Sequence, residues 1–163
     1  MNGLNIIKEF LTLEEESEIL SNIDKKKAVK KFDRNSIQRF GSDKPYKSDM
    51  VSNVIPEFLV NVGKKLVERK IVQNQPQSVT INQYLKGQAI ASHIDSAQSG
   101  KVITILSLLS DAIMVFTLNK ERVSIEVPRR SILTMSGESR EKWKHAIEPV
   151  KSERYSIVFR CTD

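Results

Sequence analysis

Val79-Thr80-Ile81-Asn82-Gln83-Tyr84 alternates with period two: Val79, Ile81 and Gln83 fall on one side, Thr80, Asn82 and Tyr84 on the other. That is the pattern of an extended strand, in which successive side chains point to opposite faces. It begins just past the turn-forming Gln73-Asn74-Gln75-Pro76. Downstream, Lys101 to Leu109, Ala112 to Leu118, Val123 to Val127, Ser131 to Met135 and Tyr155 to Cys161 read as further strands, rich in β-branched and apolar residues. Strands that follow one another without crossover helices pair antiparallel, which predicts a sandwich or barrel.

Upstream of Gln73 the period is helical. Thr12-Leu13-Glu14-Glu15 has the spacing of a capping box and opens a helix to about Ile23, with Leu13, Glu16, Leu20 and Ile23 on neighbouring turns. A second helix is predicted from about Ser52 to Arg69. Ile55, Phe58, Leu59, Val62 and Leu66 form its apolar stripe, which reads as core packed on a sheet. The expected class is therefore mainly β with two N-terminal helices (α+β), as one domain over 1–163.

Composition narrows the function. At 163 residues the chain can fold without disulfides, and Cys161, its one cysteine, excludes a multi-cysteine zinc module. With His93 and His145 as the two histidines, no mechanism needing three imidazoles is available. Met1 to Phe10 has no basic segment followed by a long apolar run, and no stretch approaches a membrane span, so a soluble protein in a reducing compartment such as the cytoplasm is expected.

The net charge of +6 is concentrated. Lys25, Lys26, Lys27, Lys30, Lys31, Arg34, Arg39, Lys44 and Lys47 lie in one window with only Asp33, Asp43 and Asp49 opposing them, so the remainder of the chain is neutral. Such a run is either a solvated face or a phosphate-contacting surface. Here it contains Gln38-Arg39-Phe40-Gly41 and Tyr46, and aromatics beside cations suit base stacking with phosphate contact.

His93-Ile94-Asp95 places an imidazole and a carboxylate on one side of an extended segment, and His145 follows Trp143 in what reads as a loop before Ile147. Two His and one carboxylate make the facial triad of non-haem Fe(II) oxygenases, which leaves positions open for a bidentate oxo-acid and O2. Zinc accepts the same ligands and supports hydrolysis instead. Arg154 and Arg160 share one face of the last strand with Ser156 and Val158. Two inward guanidiniums are costly to bury without an anion, and a dicarboxylate such as 2-oxoglutarate supplies one. Asn82 and Tyr84 can complete its hydrogen bonds.

In order along the chain, Asn82-x-Tyr84, Gly87, His93-x-Asp95, Ser136-Gly137-Glu138-Ser139-Arg140, His145 and Arg154-x5-Arg160 resemble the AlkB-type Fe(II)/2-oxoglutarate-dependent oxygenases. The resemblance covers about Ser78 to Arg160, half the chain, and the combination is far more specific than its parts. It implies a double-stranded β-helix, or jelly roll, over 77–163, with residues 1–76 supplying helices and a nucleotide lid. It implies Fe(II) held by His93, Asp95 and His145. Arg154 and Tyr84 would take the distal carboxylate of 2-oxoglutarate, with Asn82 and Arg160 near the iron-bound end. Ser156 stands where many members carry a cosubstrate-binding Asn.

The chain looks most like the branch that hydroxylates a modified wobble uridine in tRNA, through Val79 to Tyr84, Gly87-Gln88, His93 to Ser96, Val127 to Ser131 and Trp143-x-His145. It departs from the family at Ala146 and Leu109, where Gly is common. Gln98 stands where DNA-repair members place an acid, which weighs against alkylation repair. The implied activity is oxidation of an alkyl group on a nucleobase, by hydroxylation or demethylation, with RNA favoured over DNA. The implied substrate contacts are Lys26, Lys30, Lys31, Arg39, Phe40, Tyr46, Arg129 and Arg140. The alternatives are a DNA demethylase, a protein hydroxylase and a jelly roll that binds nucleic acid without turnover.

Overall fold

The computed structural model describes residues 1–24, 33–34, 36–41, 51–52 and 54–161. The chain opens with strand β1 (Leu4–Ile7) and helix α1 (Leu13–Asn22). The expected capping box is formed: the Thr12 hydroxyl accepts from the Glu15 amide at 3.1 Å, and the Glu15 carboxylate accepts from the Thr12 amide at 2.8 Å. Strands β2 (Ser36–Gly41) and β3 (Val51–Ser52) lead to helix α2 (Glu57–Glu68). The stripe predicts a start near Ser52, but α2 begins only after Pro56. Proline suits the first turn of a helix and pushes the residue before it into extended conformation.

The rest is mostly strand: β4 (Ser78–Tyr84), β5 (Ile90–His93), β6 (Val102–Leu108), β7 (Ala112–Leu118), β8 (Glu121–Val127) and β9 (Ile132–Met135). A short helix α3 (Gly137–Glu141) then precedes β10 (Lys144–Ile147) and β11 (Arg154–Cys161). Two sheets result, a seven-stranded one in the order β1-β9-β6-β11-β4-β2-β3 and a four-stranded one in the order β5-β10-β7-β8. The described strand pairs are antiparallel apart from β2 with β3. This is the expected mainly β jelly roll. Residues 1–76, expected as helices and a lid, also contribute β1, β2 and β3 to the larger sheet.

The larger sheet separates two interiors. Tyr155, Ile157 and Phe159 of β11 pack with Phe40, Val79 and Ile81 beneath Leu11, Ile19, Leu59 and Leu66 of the helical layer. The alternate residues of β11 face the smaller sheet, where Ile103, Met114, Phe116, Leu133, Trp143 and Val158 form a second core. On α1 the inward face is Glu16 and Ile19, with Ile23 buried just past the helix end, whereas Leu13 is 55% exposed and lies off the stripe. Glu16, 1% exposed, accepts from the Leu109 amide at 2.7 Å and from Arg129 Nε at 2.7 Å. This buried carboxylate ties the helical layer to two inter-strand turns, one of them at Leu109 with φ +74°. No helix among the described residues is long and apolar enough to cross a membrane.

Candidate metal and cosubstrate site

His145 lies on a strand, β10, and not in the loop expected for it. Its register partner across the β5–β10 ladder is His93, and their ring centroids are 4.4 Å apart. Asp95 follows just past the end of β5. One ligand atom from each of His93, Asp95 and His145 falls in a group whose members all lie within 4.8 Å of one another. His93 Nδ1 sits 2.9 Å from the Ala91 carbonyl, which only accepts, so Nδ1 is the donor. Nε2 is then the atom turned to Asp95, at 3.3 Å from its carboxylate. A backbone-bonded imidazole presenting its other nitrogen beside a carboxylate is how metal-binding histidines are oriented.

Charge in this cluster is tuned by burial and by neighbours. Burial alone raises the Asp95 carboxyl, but the His93 hydrogen bond and the nearby Arg160 and His145 outweigh it and hold the group at about 2. Burial pushes His145 down to about 4, so its imidazole is neutral at neutral pH, the form that ligates metals. The Asp95 hydrogen bond raises His93 above its ordinary value.

A cavity of about 350 Å3 opens beside this cluster, between the two sheets. Its wall on the larger sheet follows from register. Tyr84, Asn82 and Thr80 of β4 stand opposite Arg154, Ser156 and Val158 of β11, while Ile37 and Arg39 of β2 stand opposite Asn82 and Thr80. Arg160 donates to the Thr80 hydroxyl at 2.8 Å, and Asn82 Nδ2 reaches Ser156 Oγ at 3.4 Å. Arg154 is 1% exposed and lies over the Tyr84 ring at 5.4 Å, and its Nε and both Nη atoms have no hydrogen-bond partner among the described residues. An unpaired buried guanidinium is a large cost unless an anion completes it. Burial also raises the Tyr84 hydroxyl, which stays a neutral donor. One end of the cavity thus offers two imidazoles and a carboxylate, a set that suits iron, and the other a planar cation that suits a carboxylate.

Other expected contacts fall elsewhere. Arg39 lines the cavity. Phe40, on the opposite face of β2, is 6% exposed within the helix-side core and is not available to stack on a base. Arg129 is turned to Glu16 on the helical side of the larger sheet. Arg140 is spent on backbone carbonyls of the turn after Asp95. Lys26, Lys30, Lys31 and Tyr46 lie outside the described residues. Sequence reasoning missed Arg34, whose Nη1 donates to Asn82 Oδ1 at 3.0 Å while its Nε pairs with Asp33 at 3.1 Å. Its place in the basic window was the one signal, and eight other cations share it. Ile37, Ile105 and Met114, which give the cavity its apolar walls, carried no signal at all.

The family model for the 2OG-Fe(II) oxygenase superfamily matches residues 34–160, which span every residue of this cavity except Asp33. The chain belongs to that superfamily. Its cofactors are therefore Fe(II), 2-oxoglutarate and O2, and the choice between iron and zinc that the ligands alone left open falls to iron. The chain is an Fe(II)- and 2-oxoglutarate-dependent dioxygenase, and its relatives are AlkB-type proteins. It is 33% identical over 161 residues to the tRNA (carboxymethyluridine(34)-5-O)-methyltransferase alkbh8 of Xenopus tropicalis, covering 91% of this chain and 26% of that protein. It is 27% identical to the DNA N6-methyl adenine demethylase of Caenorhabditis elegans, covering 98% of this chain and 60% of that one. It thus spans about a quarter of the methyltransferase. The solved structure of OsALKBH1 superposes with a TM-score of 0.72 at 15% identity over 99% of both chains, which shows the shared fold.

Proposed function

We propose that this oxygenase oxidises an alkyl group on a nucleobase of nucleic acid, with RNA, and tRNA in particular, as the favoured substrate. The observation that carries the reading is the cavity itself: a His93-Asp95-His145 cluster at one end and an unpaired, fully buried Arg154 at the other. The names of the relatives, which describe tRNA and DNA modification, support a base as substrate.

In this reading His93, Asp95 and His145 hold Fe(II). Arg154 receives the distal carboxylate of 2-oxoglutarate in a planar fork, helped by the Tyr84 hydroxyl. Asn82, Ser156 and Arg160 face the iron-bound end. With O2 present the bound iron and cosubstrate supply C–H hydroxylation coupled to decarboxylation to succinate; an N-methyl product then loses formaldehyde, whereas a carbon-linked chain keeps its new hydroxyl. Ile37, Ile105, Met114 and Val158 exclude water from the space between the two ends. Arg34, which lines the cavity, fixes the amide orientation of Asn82. The basic window that includes Lys26, Lys30, Lys31 and Tyr46 contacts phosphates, and the target base is taken unstacked.

The test is succinate formation from 2-oxoglutarate with Fe(II), in the presence of total tRNA, duplex DNA or neither, followed by nucleoside mass spectrometry. Stimulation by tRNA and one altered nucleoside are expected. Stimulation by DNA alone would transfer the reading to the second candidate, a DNA demethylase, and no stimulation by either would point to a protein substrate.

A further inference from the structure

The three clustered ligands are not held alike. His93 and His145 sit in the β5–β10 ladder, so backbone pairing fixes them. Asp95 lies beyond the end of β5, where that ladder has stopped. What holds its backbone comes from α3, the short helix just before β10. The guanidinium of Arg140, 3% exposed on α3, donates from Nη1 to the carbonyl of Asp95 at 3.0 Å, from Nη2 to the carbonyl of Ser96, and from Nε to the carbonyl of Gly100 at 3.2 Å. Each of its nitrogens therefore binds one turn, 95–100. The same Ser96 carbonyl also accepts from the Ser99 amide at 2.9 Å, and the Ser96 hydroxyl accepts from the Gln98 amide at 3.3 Å.

The platform under Arg140 is itself anchored. The Ser139 amide donates to the Asn2 carbonyl at 3.0 Å and the Ser136 amide to the Gly3 carbonyl at 2.9 Å. Gly3 has φ +83°, and a Cβ there would lie 1.9 Å from the Ser136 carbonyl oxygen, so only glycine allows this approach. The first residues of the chain thus seat α3, α3 aims Arg140, and Arg140 fixes the turn that carries Asp95.

We infer that Arg140 is a positioning residue for the metal site: its three-pronged grip replaces the missing strand ladder and sets where the Asp95 carboxylate stands relative to the two imidazoles. The inference rests on the reading of His93, Asp95 and His145 as the iron ligands. A lysine keeps the charge but supplies one point donor in place of a planar fork of three nitrogens, so it cannot hold three carbonyls at once.

The test is titration with Mn(II), a redox-inert substitute for Fe(II), followed by calorimetry and by electron paramagnetic resonance of free Mn(II). It uses wild type, Arg140→Lys and, as a control, Arg130→Lys, which removes a guanidinium bond to the Leu11 carbonyl far from the site. Arg140→Lys should weaken Mn(II) binding by about 10–100-fold, the usual effect of losing an outer-shell support, while Arg130→Lys leaves it unchanged. Equal Mn(II) affinity in wild type and folded Arg140→Lys would overturn the inference. Absence of Mn(II) binding in wild type would instead overturn the reading of the ligands. If Arg140→Lys does not fold, Arg140→Gln takes its place. Failure of both to fold also counts against the inference, because Arg140 would then hold the fold as a whole.

Discussion

His93 and His145 are direct cross-strand partners, with imidazole centroids 4.4 Å apart and ring planes inclined by 55°. The ladder fixes the backbone from which both rings project, so the two imidazoles of the cluster are placed by the smaller sheet. Replacing either by Ala should abolish 2-oxoglutarate turnover and weaken Mn(II) binding by more than the roughly 10–100-fold that losing an outer-shell support costs. Circular dichroism should show the strands intact, because each side chain is one of many in its ladder. Turnover at the wild-type rate in either variant would remove these residues from the chemistry.

The metal-free protein should lose stability as pH falls from about 6.5 to about 4. His145 charges at its ordinary value when unfolded but only near 4 when folded, so the unfolded state holds the extra proton across that window. The size is on the order of 2–3 kcal/mol. His93 is raised and not lowered, so its contribution is complete below 6.5 and does not change the slope there. Urea denaturation at pH 7 and pH 4.5 measures the difference, and His145→Gln should reduce it.

Arg154 is predicted to trade stability for ligand binding. Arg154→Met keeps most of the volume and removes a buried charge that, among the described residues, meets the Tyr84 ring but no hydrogen-bond acceptor. The variant should melt higher by about 2–4 °C per kcal/mol gained, with a gain of about 1 kcal/mol. Its affinity for 2-oxoglutarate in the presence of Mn(II) should fall at least tenfold while Mn(II) binding alone is unchanged. A thermal-shift series with and without 2-oxoglutarate reads both effects. A lower melting temperature in the free variant would contradict the account of Arg154 as uncompensated.

Helix α2 ends in a Schellman motif: the Ile71 amide reaches the Leu66 carbonyl at 2.9 Å and the Lys70 amide the Val67 carbonyl at 2.9 Å. Lys70 must adopt φ +57° there, a conformation that L side chains pay for and glycine does not. Lys70→Gly should therefore stabilise the protein by about 0.5–1 kcal/mol, read as a higher urea midpoint with turnover unaffected.

The larger strands were legible in the sequence because they rest on spacing, whereas grouping His145 with His93 and Asp95 came from the family resemblance and from no period; the structure brings the three side chains together. Period two along 79–84 and 154–160 puts Asn82, Tyr84, Arg154 and Arg160 on one face, and the register confirms that face. Strand β2 was hidden because Ser36-Ile37-Gln38-Arg39 is polar and lies within the basic window, so its charge spoke louder than its alternation. That same concealment made Phe40 look like a stacking residue when it is core. The short strands β1, β5 and β10 have four residues each, too few for a period to register. Arg129 and Arg140 could not be assigned because their partners, Glu16 and the turn after Asp95, are distant in sequence and meet only in the folded chain.

The strict alternation of β11 makes it intolerant of a change in length. Tyr155, Ile157 and Phe159 belong to the helix-side core, and Arg154, Ser156 and Arg160 to the cavity. One residue inserted or deleted within it would slip the register and exchange the two sets, sending guanidiniums into the hydrophobic layer and aromatic rings into the cosubstrate space. The same lesion in 148–153, outside any strand, would leave the alternation of β11 itself unchanged and disturb instead the bonds of Val150 with Gly87 and Gln88. A variant library that randomises length within β11 should yield no folded, ligand-binding member, whereas one that randomises residue type at fixed length should yield some.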